Sequence, residues 1–170
     1  MNKFSRALRH AGTTKSHGKK AFPSATLSAI QTIIAAGETQ HRAEIRLIVE
    51  PSLDLTEVLS GMTSRERARE LFTHYHIWDT EENCGILIYI NLADHQVEII
   101  ADRGIARLVP PADWHAVCKT MTDGFAQKNY HDSVLNGLQQ LNTLLQKYFP
   151  EGESPQGPQP NQLSNQPILL

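Results

Sequence analysis

Gly85-Ile-Leu-Ile-Tyr-Ile90, followed after a short polar link by Val97-Glu-Ile-Ile-Ala101, is the stretch on which the fold turns. Six residues without a charge, rich in β-branched side chains, read as a strand buried on both faces. Such a strand sits in the middle of a sheet. Asp94-His95 makes the turn, and residues 97–101 return as the second arm of a hairpin.

Upstream of this hairpin, Thr63-Ser-Arg-Glu66 is a capping box. Ala68, Leu71, Phe72 and Tyr75 then recur at helical spacing. Before that helix, residues 43–50 alternate. Ile45, Leu47 and Val49 share one face, with Glu44, Arg46 and Glu50 on the other, as in a strand with two unequal faces. An earlier helix opens at Pro23-Ser24, with Ser24 as N-cap and Leu27, Ile30, Ile33 and Ile34 as its stripe. Downstream, Pro110-Pro111 starts a helix carrying Trp114, Val117, Cys118, Met121 and Phe125. A last helix begins near Asp132, turns Val134, Leu138, Leu141, Leu145 and Tyr148 inward, and stops at Pro150. The order is α-β-α-β-β-α-α. It predicts an α/β fold, an α/β/α sandwich around a small mixed sheet.

The ends of the chain differ from this middle. Residues 1–20 hold Lys3, Arg6, Arg9, Lys15, Lys19 and Lys20 and no acid, while residues 21–170 hold ten basic and eighteen acidic residues. Residues 1–21 read as a flexible basic arm that solvent covers, and residues 22–150 as the folded domain. Residues 151–170 contain four of the nine prolines together with Gln, Asn and Gly, and read as a disordered tail. The net charge of −2 exerts no general attraction on nucleic acid, and the few aromatics do not interleave with the basic residues. No apolar run approaches the ~18 residues a membrane span needs. Cys84 and Cys118 form no CxxC pair and lie in apolar segments, so both are expected as small buried hydrophobes in a reducing, cytoplasmic setting. P-loop, dinucleotide-binding GxGxxG and GxSxG patterns are absent.

Topology has a chemical consequence. A strand-helix-strand unit makes its strands parallel, and the hairpin makes the third antiparallel. Glu38, His41 and Glu44 therefore gather with Asp79, Glu81, Glu82 and Asn83, and with Asp102 and Arg103, at one sheet edge. Glu50, Asp54, Asn91 and Asp94 belong at the other. The first edge collects oxygen ligands of the kind Ca²⁺ or Mg²⁺ takes, beside a guanidinium suited to phosphate. In the arrangement this predicts, Asp79, Glu82 and Asp102 hold a divalent ion, Arg103 steadies phosphoryl oxygens and His41 protonates a leaving group.

Trp78-Asp-Thr-Glu-Glu-Asn-Cys-Gly85, the strand and hairpin that follow it through Asp102-Arg103-Gly104-Ile105, Trp114, Phe125, Tyr130 and Gly137 resemble the TPM domain family. The likeness runs over residues 23–150 and is nearest to short bacterial members without export signal or membrane anchor. It implies an α/β/α sandwich. Members of the family include one associated with acid phosphatase activity, one that assists a membrane receptor without evident catalysis, and some that bind divalent cations. Two departures stand out: residues 22–27 lack the acid that often opens the family's first helix, and the family's Gly-x-Gly after the hairpin reads Asp102-Arg103-Gly104. A non-catalytic module that binds a cation or a protein partner, one associated with a membrane, is the first expectation. Metal-dependent hydrolysis of phosphomonoesters is the second.

Overall fold

A computed structural model describes residues 3–152 and 160–170. The seven expected elements are present: α3 (Ser24–Gly37), β1 (Glu44–Glu50), α5 (Ser64–His74), β2 (Gly85–Asn91), β3 (Gln96–Ala101), α7 (Pro111–Ala126) and α8 (Tyr130–Tyr148). Five more accompany them: α1 (Lys3–Gly12), α2 (Lys15–Ala21), α4 (Leu55–Ser60), α6 (Arg103–Ala106) and β4 (Ile168–Leu169). α5 starts as its sequence dictates: the Thr63 hydroxyl accepts from Glu66 N at 3.2 Å, and Glu66 returns a carboxylate oxygen to Thr63 N at 2.8 Å. α3 starts at Ser24, one residue earlier than expected, with Pro23 rather than Ser24 in the cap position.

The sheet order is β3-β2-β1-β4. β1 and β2 are parallel, Glu44 facing Gly85 and Glu50 facing Asn91, and β2 and β3 are antiparallel. Every residue of β2 is buried, as its uninterrupted apolar run requires. Ile45, Leu47 and Val49 join Ile86, Ile88 and Ile90 on the face covered by α3, α7 and α8. Ile48, Leu87 and Tyr89 pack on the other face against Ala68 and Leu71 of α5. Helices thus cover both faces, the α/β/α arrangement.

Two expectations about the ends are corrected. Residues 3–21 are not a loose arm but two helices docked on the body. Arg6 grips Asp94 with two nitrogens, at 3.0 and 2.6 Å, and His10 Nδ1 accepts from Leu53 N at 2.9 Å. A basic arm beside an acidic body is able to fold back on it, but the anchor is a carboxylate 88 residues away in the hairpin turn, which composition alone does not single out. Part of the tail is ordered as well. Within residues 160–170, Pro167 is buried, β4 pairs with β1, and Leu170 N donates to Val49 O at 3.0 Å. Residues 153–159, also expected to be disordered, lie outside the described residues.

Candidate functional site

The parallel register brings three distant loops to one edge of the sheet. Glu44 N donates to Cys84 O at 3.2 Å, Asp102 N to Gly85 O at 2.9 Å, and Gly104 N to Asn83 O at 2.9 Å. The contacts are close enough to demand glycine. A Cβ on Gly104 would lie 2.3 Å from Glu82 O, and one on Gly85 would lie 1.8 Å from Ile77 O. Asn83 holds a left-handed φ of 53°, a conformation its short polar side chain tolerates.

The five expected site residues share this region but not one pocket. Asp102 caps α6: its Oδ1 accepts from Arg103 N at 2.6 Å. Its Oδ2 is buried and accepts no hydrogen bond among the described residues. Arg103 is exposed and donates Nε to Asn83 Oδ1 at 3.1 Å. Asp79 is exposed in the loop before β2. Glu82 is ion-paired to Arg42. His41 is buried at 1% exposure, and its Nε2 lies 3.2 Å from Asn142 Oδ1. Since Asn142 Nδ2 donates to Ile33 O at 3.1 Å, Oδ1 faces the ring and the proton sits on Nε2. Burial holds the imidazole below its usual pKa, hence neutral.

This geometry does not fit a preformed three-carboxylate metal site. Among the described residues, no three His, Cys, Asp or Glu side chains come together as a metal cluster. One of the three expected ligands, Glu82, is already committed to a guanidinium. His41, proposed as the acid, lies under the junction of α3 and α8 rather than at the surface. Its burial follows from close helix packing: a Cβ on Gly37 would lie 2.4 Å from the Asn142 side chain.

Other residues carry the polar chemistry here. Arg42 stacks its guanidinium 3.9 Å from the Phe149 ring centroid, donates to Pro150 O at 3.1 Å and pairs with Glu82. Glu38 accepts from Ile45 N at 2.9 Å and from Asn165 Nδ2 at 2.7 Å. Glu44 accepts from Gln162 N at 3.2 Å and Leu163 N at 3.0 Å, and Arg46 donates to Ser164 O. Gln162 Oε1 in turn accepts from Glu81 N at 2.8 Å. Burial pushes Glu38 up to about 7 and Glu44 upward as well. Two carboxylates expected near a cation thus bind an extended segment of the chain. Arg42 carried a weak signal, a guanidinium at a strand entrance; the partners of Glu38 and Glu44, more than 100 residues away, carried none.

The opposite edge holds a denser network. Glu50 receives Arg67 Nη2 at 2.8 Å and Tyr89 Oη at 2.6 Å, and Asn91 donates to Tyr89 Oη at 3.0 Å. Asp94 receives Arg6, and His10 Nε2 lies 3.1 Å from it. Burial acts to raise the Asp94 pKa, but Arg6 and His10 outweigh it and hold the carboxyl below its usual range. A groove of about 720 Å³ runs between β3 and α7, lined by Trp114, His115 and Cys118 among others; none of the five expected site residues lines it. Burial pushes both thiols up to about 11; Cys84 is buried as expected, whereas Cys118 is half-buried and lines this groove.

Comparison with known proteins gives the same fold. The NMR structure of the BA42 protein from the psychrophilic bacterium Bizionia argentinensis superposes with a TM-score of 0.73 at 23% identity. The match covers 87% of this chain and 94% of that one. No curated protein matches. Among the described residues no helix is long and apolar enough to cross a membrane. The model of the TPM domain matches residues 17–144, most of the folded region, and the chain therefore belongs to the TPM domain family.

Proposed function

We propose that this protein is a non-catalytic accessory module whose β1 edge binds an extended polypeptide. The observation that carries the reading is the pairing of Glu38 and Glu44 with residues 162–165. The buried Glu44 and half-buried Glu38 accept backbone and amide N–H groups, while β1 lends its open edge to Ile168 and Leu169. This is strand addition reinforced by side-chain acceptors, a recurring mode of peptide recognition. Here residues 160–170 are the resident ligand, and a partner strand of similar shape is the competing one. The two free thiols, Cys84 buried and Cys118 half-buried, suit a reducing compartment, so the reading assigns the protein to the cytoplasm.

One observation favours a cation as a second ligand: the unpartnered, buried Oδ2 of Asp102. Ca²⁺ or Mg²⁺ held there would use Asp102 with neighbouring loop oxygens rather than the Asp79, Glu82 and Asp102 set. Phosphomonoester hydrolysis finds less support, because His41 is buried and Glu82 is engaged.

The test uses a chain ending at residue 152 and a synthetic peptide of residues 160–170, followed by amide NMR. Added peptide is expected to shift residues 44–50, and Glu44→Gln to weaken that binding. A peptide that leaves β1 unperturbed would overturn the proposal. So would steady turnover of a chromogenic phosphate ester by the intact protein, abolished in Asp102→Ala.

A further inference from the structure

Helix α1 is docked inside out. A helix on a globular surface normally buries its apolar stripe and shows water its charges. Here the polar side chains turn inward: Arg6, Arg9 and His10 converge on Asp94, and His10 is buried. Phe4 and Leu8, one turn apart, are 69% and 60% exposed. The neighbouring α4 behaves alike. It packs against α1 and buries Val58, yet leaves Leu55 and Leu59, again one turn apart, 49% and 60% exposed. Of six exposed large apolar side chains among the described residues, four thus belong to two touching helices. Scattered exposed leucines need no explanation, but paired ones on adjoining helices form a patch.

The surrounding charge narrows the choice of occupant. Lys3 is exposed and its Nζ reaches the end of α4, 3.9 Å from where a Cβ on Gly61 would stand. Lys15, Lys19 and Lys20 on the adjoining α2 are exposed too, and residues 3–21 contain no acid. Of the acids on α4, Glu57 pairs with Arg67 and caps Asp54 N, leaving the exposed Asp54 at the helix start. A second copy docking face to face would set these lysines against their own images. An anionic bilayer offers both things the surface lacks, an apolar layer and negative headgroups.

We propose that α1 and α4 form a membrane-surface docking face for anionic lipid. Phe4, Leu8, Leu55 and Leu59 enter the headgroup boundary, and Lys3 with the α2 lysines meets lipid phosphates. The Asp94 clamp fixes α1 so that the apolar pairs cannot roll under.

The test is cosedimentation of the full chain with phosphatidylcholine vesicles, with and without phosphatidylserine. Binding is expected to rise about tenfold or more with phosphatidylserine and to fall as salt is added. Leu8→Ser with Leu59→Ser, both on the surface, is expected to lower it about tenfold while circular dichroism stays unchanged. Three results would overturn the proposal: no binding to anionic vesicles; binding that the double variant retains; or a concentration-dependent dimer that the double variant abolishes without any lipid affinity.

Discussion

The two ends of this sheet treat their carboxylates in opposite ways. Where β1 and β2 finish, Glu50 and Asp94 are both nearly buried, each held by an arginine through two nitrogens. Where the same strands begin, the half-buried Glu38 and the buried Glu44 meet neutral N–H groups of residues 162–165 and of Ile45. A guanidinium compensates a buried charge; an amide does so only in part. The difference appears in proton affinity. Asp94 is held below its usual pKa, whereas Glu38 is lifted to about 7 and Glu44 is raised with it. One end is a permanent clamp. The other holds residues 162–165 without a countercharge, which is why peptide binding is proposed there.

The clamp is the place to look for the largest effect. Glu50→Ala removes the acceptor of the Tyr89 hydroxyl and the nearest carboxylate of Arg67, leaving the guanidinium only Glu57 and Glu70 at 3.4 and 3.3 Å. Breaking one partner of such a pair costs about 3–5 kcal/mol. Arg67 is 22% exposed at its side chain, so water recovers part of this, and about 3 kcal/mol is expected from denaturant unfolding. Glu44→Gln at the opposite end keeps one acceptor oxygen, so one of the Gln162 and Leu163 N–H groups loses its partner, and it is expected to cost less than Glu50→Ala because no charge is left without its countercharge. Equal losses at the two ends would erase the contrast.

The second effect concerns pH. Glu38 has its folded pKa near 7 against an ordinary 4.5, so between these values the folded protein binds more protons than the unfolded chain. Glu38 therefore favours the fold when protonated, and that stability is lost as pH rises through about 7. A fall on the order of 2 kcal/mol is expected between about pH 5 and about pH 8, and Glu38→Gln is expected to flatten it. At the clamp the sign reverses. The depressed Asp94 contributes stability that is present above its ordinary 3.8 and lost only in stronger acid. Unfolding curves across pH for the parent and Glu38→Gln separate the two ends.

How much of this contrast could be read beforehand depends on the range of the signal. The convergence of residues 38–44, 79–84 and 102–104 was legible because the continuous run of β2 and the intervening α5 force a parallel pair. The same reasoning placed Glu50, Asn91 and Asp94 together at the far end. What each carboxylate meets was not legible. Asp94 is met by Arg6 from 88 residues away, and Glu44 by Leu163 from 119 residues away. Neither partner belongs to a segment with an inward apolar stripe. α1 turns its charges inward, and residues 160–170 are polar apart from Pro160, Leu163, Pro167 and the closing Ile168-Leu169-Leu170. Hydrophobic periodicity registers regular elements that bury apolar faces; α1 docks through its charges, and residues 160–170 pack Leu163, Ile168, Leu169 and Leu170 against the core without a regular period. His41 is the converse case, a loop histidine by sequence that helix packing sealed from solvent.

Asp102 supplies the smallest effect and the sharpest distinction. It stands at the same end as Glu38 and Glu44, but its Oδ1 performs an ordinary structural task, capping the four-residue α6. Loss of a cap costs about 1 kcal/mol. Asp102→Asn keeps an oxygen for Arg103 N and is expected to cost only a few tenths. It also removes the charge of the buried Oδ2. If that oxygen serves only the fold, Asp102→Ala and Asp102→Asn differ in stability by about the value of the cap and neither alters the response to Ca²⁺ or Mg²⁺. If it serves a cation, Asp102→Asn unfolds with nearly the parental midpoint yet loses the amide shifts that the ion induces around residues 83 and 102–104. A cation response confined to Asp79 and Glu82 would instead restore the carboxylate grouping that the Arg42 ion pair argues against.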